Sequence, residues 1–225
     1  MSQRHRGALP LLAALALLVA ACSSPSPTPS AACPSAPPTS AGAQAILADA
    51  GQAVVKTNKG SFTIELYDDR APIEAANFVA LARCGFYDGI SFHRVIAGFV
   101  IQAGDPQTKQ NHGDFEGLGS GGPGYRFSIA SPAPDLNYDP YAVAMAADSS
   151  GEGGSQFFID LAALDSLPGW TRSYTIFGKV VSGTDVIDTI GKLPVNDPQV
   201  GVPLDPAIIE SITIQAAASP SASGG

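Results

Sequence analysis

Residues 91 to 105 read Ser91-Phe92-His93-Arg94-Val95-Ile96-Ala97-Gly98-Phe99-Val100-Ile101-Gln102-Ala103-Gly104-Asp105. Two short apolar runs, 91–96 and 99–103, flank Ala97-Gly98, a pair that turns easily, so the stretch predicts two strands joined by a tight link. Arg94, Phe99 and Gln102 stand out within it. Taken singly, each has an ordinary reading: Arg94 as a surface or salt-bridged strand residue, Phe99 as core, and Gln102 as a satisfied edge amide. His93 neighbours Arg94 and so points the other way along a strand, which favours a structural role for it.

Working outward, Ser61-Phe62-Thr63-Ile64-Glu65-Leu66-Tyr67 alternates strictly and puts Phe62, Ile64 and Leu66 on one face of a half-buried strand. Residues 54–57 precede it across Asn58-Lys59-Gly60, so a hairpin is expected. Further strands are predicted at 141–146, 156–160, 174–180 and 207–214. Residues 72–83 read as a helix, with Pro72 suited to the first turn and Gly85 to the stop; a second helix spans 184–190, ended by Gly191. With 24 Gly and 19 Pro in 225 residues, turns must be frequent, and no strand–helix–strand rhythm or internal repeat is present. A closed antiparallel barrel or a sandwich fits this pattern.

Composition and motifs exclude several functions. Twelve Lys and Arg against twenty Asp and Glu give a net charge of −8 without any basic block, which argues against a nucleic-acid groove. Gly117-Leu118-Gly119-Ser120-Gly121-Gly122 matches a dinucleotide fingerprint in letters only: Pro123-Gly124 follows, where a helix would have to begin. Asp135 to Asp139 imitate a calcium loop, but its sixth position is Pro140 and its twelfth Ala146. The histidines are His5, His93 and His112, which make no zinc set. Ser155 has no nucleophile elbow and no evident histidine partner. No cofactor and no metal are expected.

The ends speak of location. Arg4, His5 and Arg6 precede a 14-residue apolar run, too short for a permanent span and laid out like a secretory signal. Val19-Ala20-Ala21-Cys22 resembles a bacterial lipoprotein box, which implies cleavage after residue 21 and acylation of Cys22; the plain alternative is an ordinary signal beside a coincidental cysteine. Residues 22–44 then form a Pro/Ser-rich tether, expected to stay extended at roughly 3 Å per residue and to hold the body up to about 60 Å from a membrane. The body is expected at 45–215, with a disordered tail at 216–225. Loss of residues 1–21 leaves ten cationic side chains against twenty acidic ones, a net charge of −10. Cys33 and Cys84 are either a disulfide stapling tether to body or two unpaired thiols.

The 91–105 stretch resembles the cyclophilin signature F-H-R-x-I-x-x-F-x-x-Q-x-G-D, departing mainly at Ala103. Ala144 to Ala147 and Gly154-Ser155-Gln156-Phe157-Phe158-Ile159 resemble that family's M-A-x and G-S-Q-F-F-I segments. Tyr174 to Val180 is similar to its V-F-G-K-V strand, and Ala76 to Leu81 with Gly85 to Gly89 to its first helix and the following loop. The resemblance covers about residues 52–215. It implies a mainly β fold, a closed eight-stranded antiparallel barrel with two capping helices, and peptidyl-prolyl cis–trans isomerase activity on proline-containing polypeptides. Arg94 and Gln102 become the implied catalytic residues. Phe99, Val100, Met145, Ala146, Ala147, Phe158, Leu167 and Tyr174 become the implied substrate contacts. Ala147 stands where asparagine is frequent, and Tyr174 where many members carry histidine. The tryptophan that the family associates with cyclosporin binding is missing at its ungapped position, Ser166, with Trp170 four residues later. Residues 107–122 look longer than in compact members. The combined expectation is a monomeric isomerase, lipid-anchored to a bacterial membrane, facing outside the cytoplasm and acting on secreted or envelope proteins. A peptide-binding chaperone with weak turnover is the alternative, and a purely structural envelope protein a distant third.

Overall fold

The computed structural model describes residues 32–217. The expected signal sequence, Cys22 and most of the expected tail lie outside these residues. Nine strands make one curled antiparallel sheet: β1 (Gln52–Thr57), β2 (Gly60–Leu66), β3 (Arg94–Ile96), β4 (Val100–Ala103), β5 (Phe127–Ser128), β6 (Ala142–Ala147), β7 (Glu152–Asp160), β8 (Ile176–Ser182) and β9 (Ile209–Gln215). Three helices accompany them: α1 (Ser40–Leu47), α2 (Pro72–Arg83) and α3 (Thr184–Ile190).

The sheet runs β3-β4-β7-β6-β8-β2-β1-β9, with β5 added beside β7. No ladder joins β3 to β9, so the closed eight-stranded barrel expected from the sequence is corrected to an open, half-barrel sheet of nine strands with three helices. The two ends meet only upstream of β3, where Ser91 forms an isolated bridge with Ile208 and Gly89 N–H donates to Ile209 C=O. β3 is three residues long, and its Val95 N–H donates to Gly201 C=O in a loop and not to β9.

Two apolar clusters flank the sheet. The larger buries Phe62, Ile64, Phe78, Tyr87, Phe92, Met145, Phe157 and Phe177, and α2 lies in it with Phe78 edge-on to Phe157. α2 begins at Pro72, whose fixed φ suits the first turn, and ends at Cys84 before Gly85 at φ 74. The smaller cluster, Val100, Tyr138, Ala142, Ala144, Phe158, Leu164 and Ile176, forms a second buried nucleus, with Phe99, Trp170 and Tyr174 partly buried against it.

The N-terminal boundary also moves. Residues 40–47, placed largely in an extended tether, form α1, capped by the Thr39 hydroxyl accepting from Gly42 N–H. α1 packs with Ala43 and Leu47 buried, and Arg83 at the end of α2 donates to Ile46 C=O at 2.8 Å and pairs with Asp49 at 2.5 Å. Cys33 is bonded to Cys84, the residue that ends α2. The packed unit therefore includes residue 33, and the boundary at 44/45 falls inside a helix.

Candidate active site

Sheet register assembles the site. Arg94 in β3 pairs with Gln102 in β4, Gln102 with Phe158 in β7, Phe158 with Ala144 in β6, and Ala144 with Ile176 in β8. Directly paired residues point to the same face, so one row carries a cation, an amide and then apolar groups across five strands. The row beside it, Val95, Ile101, Ile159 and Val143, points to the opposite face and is buried in the larger cluster. Residues 96–99 close the β3–β4 turn by Phe99 N–H to Ile96 C=O at 2.9 Å, with Gly98 at φ 70, a backbone state that glycine takes without strain. That turn sets the Phe99 ring beneath Arg94, whose guanidinium carbon lies 5.9 Å from the ring centroid.

These residues surround a hollow of about 260 Å³ lined by Arg94, Phe99, Val100, Gln102, Ala146, Ala147, Phe158, Trp170 and Tyr174. The structure thus brings together Arg94, Gln102, Phe99, Val100, Ala146, Ala147, Phe158 and Tyr174 from the sequence-predicted set, and leaves out two. Met145 is paired with Phe157 and fully buried in the larger cluster on the other face. Strict alternation from Phe158 and Ala144 already puts it there. Leu167 is 36% exposed and lies outside the hollow. It begins the turn Leu167-Pro168-Gly169-Trp170, in which Trp170 N–H donates to Leu167 C=O, and this turn delivers Trp170 to the wall instead.

Trp170 is the residue whose placement the sequence left open. Its ring meets Phe99 at 5.7 Å, Tyr138 at 5.1 Å and Phe158 at 6.5 Å, all nearly edge-on, and tilts against Tyr174 at 5.7 Å. Its indole N–H is buried without a partner among the described residues. Tyr138, which sequence reasoning passed over, supports this wall from below: fully buried, its hydroxyl donates to Tyr174 C=O and accepts from Tyr174 N–H at 3.0 Å. Its signal in the sequence was hidden in a stretch read only as a failed calcium loop.

Electrostatics single out Arg94. No carboxylate of the described residues lies within 4 Å of it, whereas Arg70, Arg83, Arg126 and Arg172 all have such partners. Burial lowers its pKa from the usual arginine value, opposed by the neighbouring Tyr174 hydroxyl. A guanidinium keeps its charge under such conditions, so the hollow holds an unneutralised cation against aromatic walls. Gln102 donates its amide to Gln156 Oε1 at 2.9 Å. His93 lies off this row, 3% exposed, with both ring nitrogens unpartnered, and burial depresses its pKa to about 4, with Asp105 opposing and Arg94 adding to the shift. A second hollow shares Gln102, Ala146 and Ala147 with the first and continues toward Tyr125, Arg126 and Glu152. Among the described residues, no cluster of His, Cys, Asp or Glu has metal-binding geometry.

An open antiparallel sheet carrying a cation–amide pair over an aromatic-walled hollow, with no nucleophile beside them, defines a protein suited to holding a neutral ring next to a fixed positive charge. Comparison with known proteins gives the class its name. The cyclophilin type peptidyl-prolyl cis-trans isomerase family model matches residues 53–214. Peptidyl-prolyl cis-trans isomerase A of Mycobacterium tuberculosis is 41% identical over 182 residues, covering 72% of this chain and 91% of that one. Peptidyl-prolyl cis-trans isomerase B of Streptomyces anulatus is 39% identical over 181 residues, covering 72% and 95%. A crystal structure of a Cryptosporidium parvum cyclophilin type isomerase, obtained in the presence of the dipeptide Ala-Pro, superimposes with a TM-score of 0.60 at 32% identity, covering 73% of this chain and 99% of that one. The chain belongs to the cyclophilin family and is a peptidyl-prolyl cis–trans isomerase.

Proposed function

We propose that the chain accelerates X–Pro rotation by donation from Arg94 to the prolyl nitrogen, on exported proteins, from a lipid anchor at Cys22. The reaction breaks no bond to substrate; its barrier is amide resonance, close to 20 kcal/mol. Twisting the bond localises the lone pair on the prolyl nitrogen, so a donor there stabilises the twisted state more than the planar one. The observation carrying this reading is Arg94, partly buried and unpaired above Phe99, beside a hollow that suits a proline ring. In this reading Phe99, Val100, Phe158 and Trp170 receive the ring, while Gln102 holds the substrate backbone and orients Arg94. A million-fold acceleration requires roughly 8 kcal/mol. One preorganised donor supplies about 3–4 kcal/mol, so the shaped hollow must supply the rest.

The test is NMR exchange of a short X–Pro peptide with the chain from residue 23 onward. Arg94→Ala should slow catalysed exchange by about 10²–10³ and leave a residue of activity. An unchanged rate rules Arg94 out. Peptide binding without accelerated exchange, in the unmutated chain, transfers the reading to a peptide-binding chaperone.

The envelope location rests on Val19-Ala20-Ala21-Cys22 and the charged, apolar segment ahead of it. Multiple acyl chains on one residue anchor firmly where a single chain holds only marginally. Cys22→Ser should move the protein from the membrane to the soluble fraction. An unaltered membrane fraction overturns the anchor.

A further inference from the structure

The glycine-rich segment 117–122, which has the letters of a phosphate loop without its context, is tied to the catalytic row by a continuous chain of hydrogen bonds. Asp105 starts that chain. Its side chain is completely buried, and no cation of the described residues pairs with it within 4 Å. Instead Oδ1 accepts from Gln107 N–H at 2.8 Å, and Oδ2 accepts from Gly119 N–H at 2.7 Å and Gly121 N–H at 3.2 Å. The carbonyls of the same two glycines accept both protons of one amide group: Gln156 Nε2 reaches Gly119 O at 2.7 Å and Gly121 O at 2.8 Å. With its nitrogen so committed, Gln156 has only its oxygen to offer Gln102, and it accepts from Gln102 Nε2 at 2.9 Å. That bond fixes the Gln102 amide nitrogen on Gln156 and leaves its oxygen without a hydrogen bond to any described residue, and Arg94 is the residue paired with Gln102 across β3–β4.

The packing leaves this path no slack. A Cβ on Gly121 would stand 2.1 Å from Asp105 Oδ1, and one on Gly104 would stand 2.3 Å from Ser155 O. Carboxylate bonds to backbone N–H groups are stronger than neutral ones, so Asp105 is the stiff end of the path and Gln102 its working end. Without the carboxylate, the Gly119 and Gly121 N–H groups lose their acceptor, and the two carbonyls that orient the Gln156 amide are held only by the weaker neutral bonds of Ser120 to Gln107 and Gly117 and by Arg126.

We propose that Asp105 and Gln156 are positioning residues for isomerisation, which act through the 117–122 segment to fix the orientation of the Gln102 amide beside Arg94. This rests on the role given to Gln102 above, and it assigns the segment an activity-setting function in place of ligand binding.

The experiment uses the chain from residue 23 onward, a proline-containing peptide, and the side-chain amide resonances of Gln102 and Gln156. Asp105→Asn exchanges an acceptor oxygen for a donor nitrogen at nearly constant volume. It should lower kcat/KM about tenfold, the rate equivalent of one lost positioning hydrogen bond, and move the Gln102 amide signal toward that of a solvated glutamine. On a Gln156→Leu background the same change should add less than about twofold, because both act on one path. A folded Asp105→Asn protein with an unmoved Gln102 signal and kcat/KM within about twofold of the parent overturns the proposal, as does full additivity with Gln156→Leu. Where Asp105→Asn fails to fold, Gln156→Leu decides alone: it leaves the carboxylate and its three N–H donors in place, and an unmoved Gln102 signal overturns the proposal. Gln102→Ala separates the two readings. No loss of rate in that variant, together with a Gln102 signal that responds to Asp105, sinks the role of Gln102 and with it the effect on rate, and leaves only the hold of Asp105 on the orientation of that amide.

Discussion

Arg94 and Phe99 are set against each other by a four-residue turn, guanidinium 5.9 Å above ring, in a protein that otherwise gives its described arginines carboxylate partners. A cation left without a counter-charge in an acidic chain is available to a ligand. The aromatic face compensates part of its desolvation, by about 0.5–2 kcal/mol.

The first prediction follows from the shape of that cation. Arg94→Lys keeps the charge but loses the planar fork and its stacking on Phe99. Catalysed exchange should fall by about 10–100-fold, between the parent and Arg94→Ala. A lysine variant with full activity would show that charge alone suffices and that donor geometry is irrelevant.

Trp170 is the only tryptophan in the chain and forms a wall of the hollow. Its fluorescence should therefore change on addition of a proline-containing peptide and saturate with the peptide. Trp170→Ala removes edge-on contacts to Phe99, Tyr138 and Phe158, each worth about 0.5–1.5 kcal/mol, and should raise KM more than it lowers kcat. Peptide-independent fluorescence in an active enzyme would place the substrate elsewhere.

Two buried titratable groups act on stability in opposite directions. Asp160 ends β7 opposite Val100, fully buried with neither oxygen partnered, and burial first, then Asp165 and Asp139, push its pKa up to about 8. Its unfolded value is near 3.8, so the folded state binds the extra proton and stability falls as pH rises through that interval. His93 has a folded value of about 4 against 6.5 unfolded, so the unfolded state binds the extra proton and stability rises with pH over that range. Each slope is about 1.4 kcal/mol per pH unit. The two cancel between pH 4 and 6.5, and the Asp160 decline remains alone from 6.5 to 8. Urea midpoints of Asp160→Asn should lose that decline and rise with pH below 6.5. If parent and variant fall in parallel above pH 6.5, another group is responsible.

The Cys33–Cys84 bond closes a separation of 51 residues. Cys33→Ser should lower stability by about 2–4 kcal/mol, chiefly by freeing the unfolded chain. Activity should persist, since α1 and α2 pack in the larger cluster and the hollow rests on the smaller one. Equal denaturation midpoints with and without the bond would refute this.

What the sequence revealed was whatever repeats locally. The alternation of 61–67 and the Pro72/Gly85 punctuation mark β2 and α2 as found, and the 91–105 stretch marks the turn that carries Arg94 and Phe99. What escaped it depends on contacts distant in sequence. α1 is eight residues with no acidic first turn and no basic last turn, held by Arg83 and the disulfide. β5 is two residues long and exists through its pairing with β7. Trp170 enters through the turn at 167–170, which shifts the wall three residues past Leu167. Met145 is an error of another sort, since alternation alone assigns it to the opposite face from Phe158. The open edge is invisible in any single strand: Val95 gives its N–H to a loop residue, Gly201, and not to a neighbouring strand.

The bond at Cys33 also sets how the enzyme would sample its surroundings. Under the proposed acylation of Cys22, only ten residues lie between the lipidated cysteine and Cys33, which the disulfide fastens to the domain. Even at full extension they span no more than about 40 Å. Effective concentration falls steeply as a linker lengthens, so with that anchor a domain fastened at residue 33 instead of 45 would be crowded into a thinner layer over the bilayer. Its affinity for any one peptide would be unchanged, but chains still close to the membrane would meet it more often than chains that have diffused away.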